Sequence, residues 1–83
     1  MKGAREMNDF FKETLDGCVG KTYINSIPLS EFSSTKEIGE VVVYAQKKGL
    51  GVAMKVEHSN FYQGVLVEIY DKKTCAFKDY LHK

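Results

Sequence analysis

Large apolar residues alternate with small or charged ones through the segment 50–57, and this alternation constrains the fold more than any other feature. Leucine, two valines and a methionine occupy the even positions, while glycine, alanine, lysine and glutamate occupy the odd ones. A period of two is what a β-strand with one buried face requires. The segment therefore predicts a strand whose core-facing side chains are Leu50, Val52, Met54 and Val56.

Two later segments, 64–71 and 74–80, show the same period and predict two more strands. In 64–71, valine and isoleucine share one face and Glu68 lies on the other, so the charge identifies the solvent side. In 74–80, Cys75 and Phe77 share the predicted core face. Polar residues separate the three segments, as expected for an antiparallel β-meander.

The loops between these strands must keep the apolar faces together, because a slip of one residue turns a whole strand over. We therefore expect Val56 to lie opposite Val65, which leaves the even-numbered loop 59–62. We also expect Ile69 to lie opposite Phe77. This register places the third strand directly beside the second.

The first half of the chain predicts a helix followed by a short strand. Apolar residues from Met7 to Leu15 recur at helical spacing, and Gly17 is placed to end the helix. The segment 21–27 is rich in β-forming residues and is closed by Pro28. We expect it to add a fourth strand at an edge of the sheet, where proline is tolerated.

The segment 35–48 is predicted to be a second helix, with a strand as the alternative. Ser34 and Glu37 have the capping-box spacing, and apolar residues then recur with a period of 3.6. The β-branched and aromatic run 41–44 favours a strand instead. Gly39 also weakens a helix by about 1 kcal/mol relative to alanine. The cap and the full helical period together favour the helix.

These segments predict one small two-layer α+β domain spanning residues 1–83, with 1–6 frayed at the start. The predicted order is α-β-α-β-β-β. The antiparallel sheet has three to four strands, and both helices cover the same face. A chain of this length buries only about 60% of its unfolded surface, so we expect modest stability.

The composition argues against a membrane-spanning or secreted chain. The net charge is +1, the N-terminal residues are charged, and no apolar run approaches the roughly 20 residues that a membrane span needs. We therefore predict a cytoplasmic protein. In that reducing compartment Cys18 and Cys75 remain thiols, and we expect both to be buried. Two cysteines and two histidines without ligand spacing predict no metal and no cofactor.

His58 is the only histidine away from the C-terminal segment and is the one candidate catalytic residue. A histidine base needs a nucleophile and an orienting group within reach. Cys18 or Cys75 would have to supply the nucleophile, and nothing in the sequence brings either close. We therefore predict a protein that is not an enzyme and keep a His58–thiol enzyme as the third hypothesis.

The predicted outer face of the sheet offers a surface instead of a catalytic site. With both helices on one face, the other face has no predicted intrachain cover, and it carries tyrosines, which are favoured interface anchors. The predicted contact residues are Tyr70, Tyr80, Leu66, Phe61 and Tyr62, with Lys55, Lys72, Lys73 and Lys78 as a charged rim.

This surface favours a small protein-binding module, such as a regulator, an adaptor or a small inhibitor of the kind that mobile elements carry. The alternative is binding of RNA or single-stranded nucleic acid through the same tyrosine and lysine face. One arginine in the whole chain and a net charge of +1 argue against the alternative. A homodimer through the sheet face or an edge strand is a further expectation.

Overall fold

The structure, a computed structural model, describes residues 7–75. The helices and strands in chain order are α1 (Asp9–Asp16), β1 (Asn25–Pro28), a 3-10 turn (Leu29–Glu31), α2 (Thr35–Lys47), β2 (Leu50–His58) and β3 (Gln63–Asp71). The predicted α+β class is confirmed. Most of the predicted strand 74–80 lies outside the described residues.

Side chains cap both helices at their first turns, and the cap at Ser34 was predicted. The Asn8 side chain accepts a hydrogen bond of 2.8 Å from the backbone N–H of Phe10 at the start of α1. At α2, the Ser34 hydroxyl accepts from the N–H of Glu37. The Glu37 carboxylate accepts in turn from the backbone N–H and the hydroxyl of Ser33, one residue before the cap. The helix predicted for 35–48 is therefore confirmed, and the strand alternative is wrong.

The β2–β3 hairpin has the predicted register. Val56 lies opposite Val65, and the loop between the strands is 59–62. The pairing runs without a break from Leu50 opposite Asp71 to His58 opposite Gln63. The alternation of apolar residues and the even length of the loop were sufficient to predict this register.

The neighbour of β3 on its other side is β1 and not the segment after it. The strand order is β1-β3-β2, with all pairs antiparallel, so β3 is central. Ile69 pairs with Asn25 on one side and with Val52 on the other. The prediction that Ile69 lies opposite Phe77 is therefore wrong, because β1 already occupies that side of β3.

Both helices pack against one face of this sheet. Phe11 and Leu15 of α1 and Val41 of α2 are at most 1% exposed and share a core with Ile69 and Val67 of β3. The rest of the buried cluster is Cys18, Ile27, Phe32, Ala45 and Leu50. The rings of Phe11 and Phe32 stack with centroids 4.5 Å apart.

The core covers only the Leu50 end of β2. Leu50 is 1% exposed, whereas Met54 and Val56 on the same face of the strand are 57% and 61% exposed. The prediction that Met54 and Val56 are buried is therefore wrong, although both side chains lie on the same face of β2 as Leu50, as predicted. β1 also ends at Pro28, opposite Leu66, so the hairpin continues beyond the three-stranded part of the sheet.

Candidate functional site

The far end of the β2–β3 hairpin carries a group of exposed apolar side chains. We call Met54, Val56, Phe61 and Val65 the hairpin patch. Phe61 is 97% exposed, and Val65 is partly buried. Val56 and Val65 are cross-strand partners, and Met54 is two residues from Val56 on the same face. Side chains so related are direct neighbours on a sheet surface, so Met54, Val56 and Val65 adjoin one another, and Phe61 projects from the loop beyond them.

Hydrogen bonds within the loop hold Phe61 at the tip of the hairpin. The Ser59 hydroxyl accepts from the backbone N–H groups of Phe61 and Tyr62 at 3.2 and 3.1 Å. The N–H of Ser59 donates to the carbonyl of Tyr62 at 3.1 Å. These bonds involve backbone groups and the Ser59 hydroxyl only, and the Phe61 side chain remains in solvent.

Tyr62 does not project as Phe61 does. Its ring lies close to Gly64, where an added Cβ would come within 2.9 Å of the Tyr62 hydroxyl. Gly64 also has a φ of 154°, a conformation that residues with a side chain rarely adopt. Glycine is therefore required at this position for the ring to fold back, and Tyr62 is partly buried.

Tyr70 is buried on the face of the sheet that was expected to be open. It is only 6% exposed and lies across the strands from Gly51, where an added Cβ would overlap the Tyr70 ring. Glu68 on the same face is also 6% exposed. The expectation that Tyr70 is an exposed contact residue is therefore wrong, because the glycine opposite leaves room for the ring to lie against the sheet.

The other predicted contact residues do not form one surface. Lys72 and Lys73 are exposed in the turn after β3, at the opposite end of that strand from Phe61. Nine residues of strand separate the two ends by about 27 Å. Leu66 and Lys55 lie along the hairpin and are partly buried, and Lys55 is 3.5 Å from the Glu57 carboxylate. Tyr80 and Lys78 lie outside the described residues.

Cys18 and His58 lie at opposite ends of the sheet. The Cys18 sulfur accepts a hydrogen bond of 3.1 Å from the side-chain amide of Asn25, whose strand position is opposite Ile69. His58 is opposite Gln63, the first residue of β3, which lies six residues before Ile69. Burial raises the pKa of the Cys18 thiol, so the reactive thiolate is disfavoured. The structure does not bring this thiol and His58 together.

The carboxylate of Asp71 organises a connection that the sequence did not reveal. Its Oδ2 atom accepts from the N–H of Gly20 at 2.7 Å, and its Oδ1 atom accepts from the N–H groups of Lys73 and Thr74 at 2.8 and 3.3 Å. The Thr74 hydroxyl donates to the carbonyl of Lys21. The turn after α1 is thereby attached to the end of β3. These N–H donors hold the pKa of Asp71 below its ordinary value.

A groove lies between α2 and the start of β2. Its volume is about 320 Å³, and its lining residues are Val42, Gln46, Leu50, Gly51, Val52, Tyr70 and Lys72. Val52 and Gly51 belong to opposite faces of β2, so the groove opens at the edge of that strand. Polar and apolar atoms contribute about equally to its accessible lining, and Gln46 and Lys72 are among its polar residues.

Other kinds of site are not present in the part of the chain that the structure describes. No group of three or more His, Cys, Asp or Glu side chains in that part could hold a metal ion. None of its helices has the length and apolar character needed to cross a membrane. No protein-family model, curated protein or solved structure matches this chain.

Proposed function

We propose that this chain is a small non-enzymatic protein-binding module that acts by occupying a surface of a larger protein, as a regulator, adaptor or inhibitor does. The observation that carries the proposal is the hairpin patch. An extended hairpin end with an almost fully exposed phenylalanine at its tip is suited to enter a pocket or a groove on a partner.

The exposure of these side chains is the physical reason. A single exposed apolar residue is ordinary. Several neighbouring ones raise the free energy of the free protein in water, so covering them with a partner is favourable. Phe61 offers the large, rigid area that interface anchors provide. The half-buried Lys55 and Glu57 on the opposite face of β2 supply polar groups beside the patch, as an interface rim requires.

Nucleic-acid binding has less support from the described residues. The alternative needed Tyr70 as a stacking platform, and a ring that is 6% exposed has no free face for a base. Lys72 and Lys73 are about 27 Å from Phe61 along β3, so the lysines and the exposed ring do not form one stacking surface. Binding of nucleic acid is therefore the alternative result that the capture experiment below distinguishes from binding of a protein.

The experiment is capture of partners from the native host lysate by the tagged full chain, with and without nuclease. Two variants make it specific to the hairpin patch. Phe61→Ser removes the ring at the tip, and Phe10→Ser removes another exposed ring, on α1, which is 53% exposed. We expect a nuclease-resistant protein partner that Phe61→Ser loses and Phe10→Ser keeps.

Each other result has a definite meaning. Retention of the partner by a folded Phe61→Ser variant would show that the hairpin patch is not the binding surface. Partners that disappear on nuclease treatment, together with binding that weakens steeply as salt is added, would move the nucleic-acid alternative ahead.

A further inference from the structure

The outer edge of β2 exposes backbone hydrogen-bonding groups at defined positions. Among residues 7–75, no strand pairs with this edge. The N–H of Lys72 donates to the carbonyl of Gly49, so this pair is a hydrogen-bonded one in the β2–β3 ladder. Because such pairs alternate along antiparallel strands, the odd positions of β2 bond to β3. The N–H and C=O groups of Val52, Met54 and Val56 therefore point away from the sheet.

A second copy of β2 can pair antiparallel with this edge only in certain registers. Residues whose N–H and C=O groups point outward in one copy must face residues of the same kind in the other copy. Even-numbered residues therefore pair with even-numbered residues. A pairing centred on Lys55 sets lysine against lysine, and one centred on Glu57 sets glutamate against glutamate. Like charges directly opposite each other are unfavourable, so both registers are disfavoured.

The register centred on Val56 is favoured by charge. It sets each Lys55 opposite Glu57 of the second copy, so two cross-strand charge pairs form at once. A register centred on Met54 sets Lys55 opposite Ala53 and forms neither pair. The Val56 register also covers Met54 and Val56, which are both more than half exposed in the single chain.

The same register brings the hairpin tip of each copy to the groove of the other. Paired residue numbers sum to 112 when Val56 faces itself, so His58 at the end of β2 faces Met54 of the second copy, and the loop 59–62 extends from there toward the start of the second copy's β2. Phe61 is 97% exposed, and the groove beside Gly51 has a volume of about 320 Å³. In this register the projecting ring of each copy is directed toward a groove of the other copy that has valine, leucine and tyrosine side chains in its lining.

We infer that two copies of this chain form a twofold symmetric dimer through antiparallel pairing of their β2 edges, centred on Val56. Each Lys55 faces Glu57 of the other copy, and each Phe61 lies at the groove of the other copy. A closed twofold arrangement follows because the same edge is used by both copies. The sheets of the two copies, with three strands each among residues 7–75, then become one continuous sheet with the helices on the same side.

The dimer is independent of the proposed partner, since it needs only the purified chain. It shares Met54, Val56 and Phe61 with the hairpin patch, so a partner that uses the patch competes with self-association. Loss of the dimer with retained Phe61-dependent capture would leave the proposed function intact. If the chain dimerises but captures no partner, the dimer is supported and the proposed binding function is rejected.

The experiment is sedimentation equilibrium of the full chain and of charge variants over a range of concentrations. We expect the wild type to dimerise, and K55E and E57K each to dimerise about tenfold less tightly, because each sets like charges opposite one another twice. A mixture of K55E and E57K restores opposite charges across the interface. We expect it to form a dimer containing one of each.

The mixture distinguishes charge pairing between two copies from effects of the substitutions within one copy. The Lys55–Glu57 contact inside each copy remains broken in both single variants, so only pairing between copies can restore association. Circular dichroism confirms that each variant is folded. A wild type that stays monomeric at its highest soluble concentration, or a mixture that associates no better than its components, would overturn the inference.

Discussion

The carboxylate of Asp71 accepts a hydrogen bond of 2.7 Å from the backbone N–H of Gly20, a residue 51 positions earlier in the chain. The same carboxylate accepts two more N–H groups from the turn that follows β3. Three donors converge on one side chain, so the turn after α1 and the turn after β3 depend on the same negative charge.

This charge makes stability depend on pH at the acid end. The N–H of Gly20 is the main cause that lowers the pKa of Asp71 from its ordinary value of 3.8. The stabilisation is therefore complete above pH 3.8 and is lost as pH falls through the lower folded value. We expect Asp71→Asn to melt at a lower temperature at neutral pH and to lose less stability than wild type on acidification.

Thermal melts followed by circular dichroism across the acid range measure this difference. Glu13→Gln removes an exposed carboxylate from α1 and serves as the control. The assignment is wrong if Asp71→Asn keeps the wild-type melting temperature at neutral pH and the wild-type acid profile.

Gly51 and Tyr70 are coupled by the space that the glycine leaves. An alanine Cβ at position 51 would overlap the Tyr70 ring, so the ring must move. We expect Gly51→Ala to lower the free energy of unfolding by about 1–3 kcal/mol, the usual range for overpacking. In a Tyr70→Ala background the same change meets no ring and has a much smaller effect. Chemical denaturation of all four proteins measures the coupling, which an equal effect in both backgrounds would disprove.

Adjacent phenylalanines on α1 have opposite environments. Phe11 is 1% exposed and stacks on Phe32, whereas Phe10 is 53% exposed. We expect Phe11→Ala to lower the free energy of unfolding by about 3–5 kcal/mol and Phe10→Ala by less than about 1 kcal/mol. If Phe11→Ala does not fold, Phe11→Leu provides the measurable comparison. Similar losses at the two positions would contradict the placement of the core.

Both cysteines are buried, so neither thiol should react in the folded protein. Cys18 is 0% and Cys75 3% exposed, and burial raises the pKa of the Cys18 thiol. We expect a thiol-directed reagent to label neither cysteine in buffer and both in denaturant. The labelling rate, followed by mass spectrometry, reports on opening of the core. Rapid labelling of native Cys18 would contradict its burial and revive the thiol hypothesis.

The features that were predictable from the sequence are those encoded by nearby residues. The cap at Ser34 and the register of Val56 against Val65 depend on spacings within a few residues, and both were found. The contact of Tyr70 with Gly51 was missed, although the same register implies it: once Val56 faces Val65, Gly51 must face Tyr70. A glycine opposite an aromatic residue was the available signal.

Other features depend on parts of the chain that are distant in sequence. Nothing near Asn25 specifies that it pairs with Ile69, because the choice of neighbour depends on how the whole sheet assembles. The period of two identifies the face on which Met54 and Val56 lie, but not how far the helices extend over that face. The exposed hairpin patch could therefore not be predicted, and only Phe61 of its four residues was among the predicted contacts.

The central position of β3 also determines when the sheet can form during synthesis. β1 and β2 are made first, yet they lie on either side of β3 and do not pair with each other. Until the residues of β3 leave the ribosome, neither earlier strand has its native pairing partner. A ribosome stalled before residue 63 therefore holds a chain in which the native sheet cannot yet form.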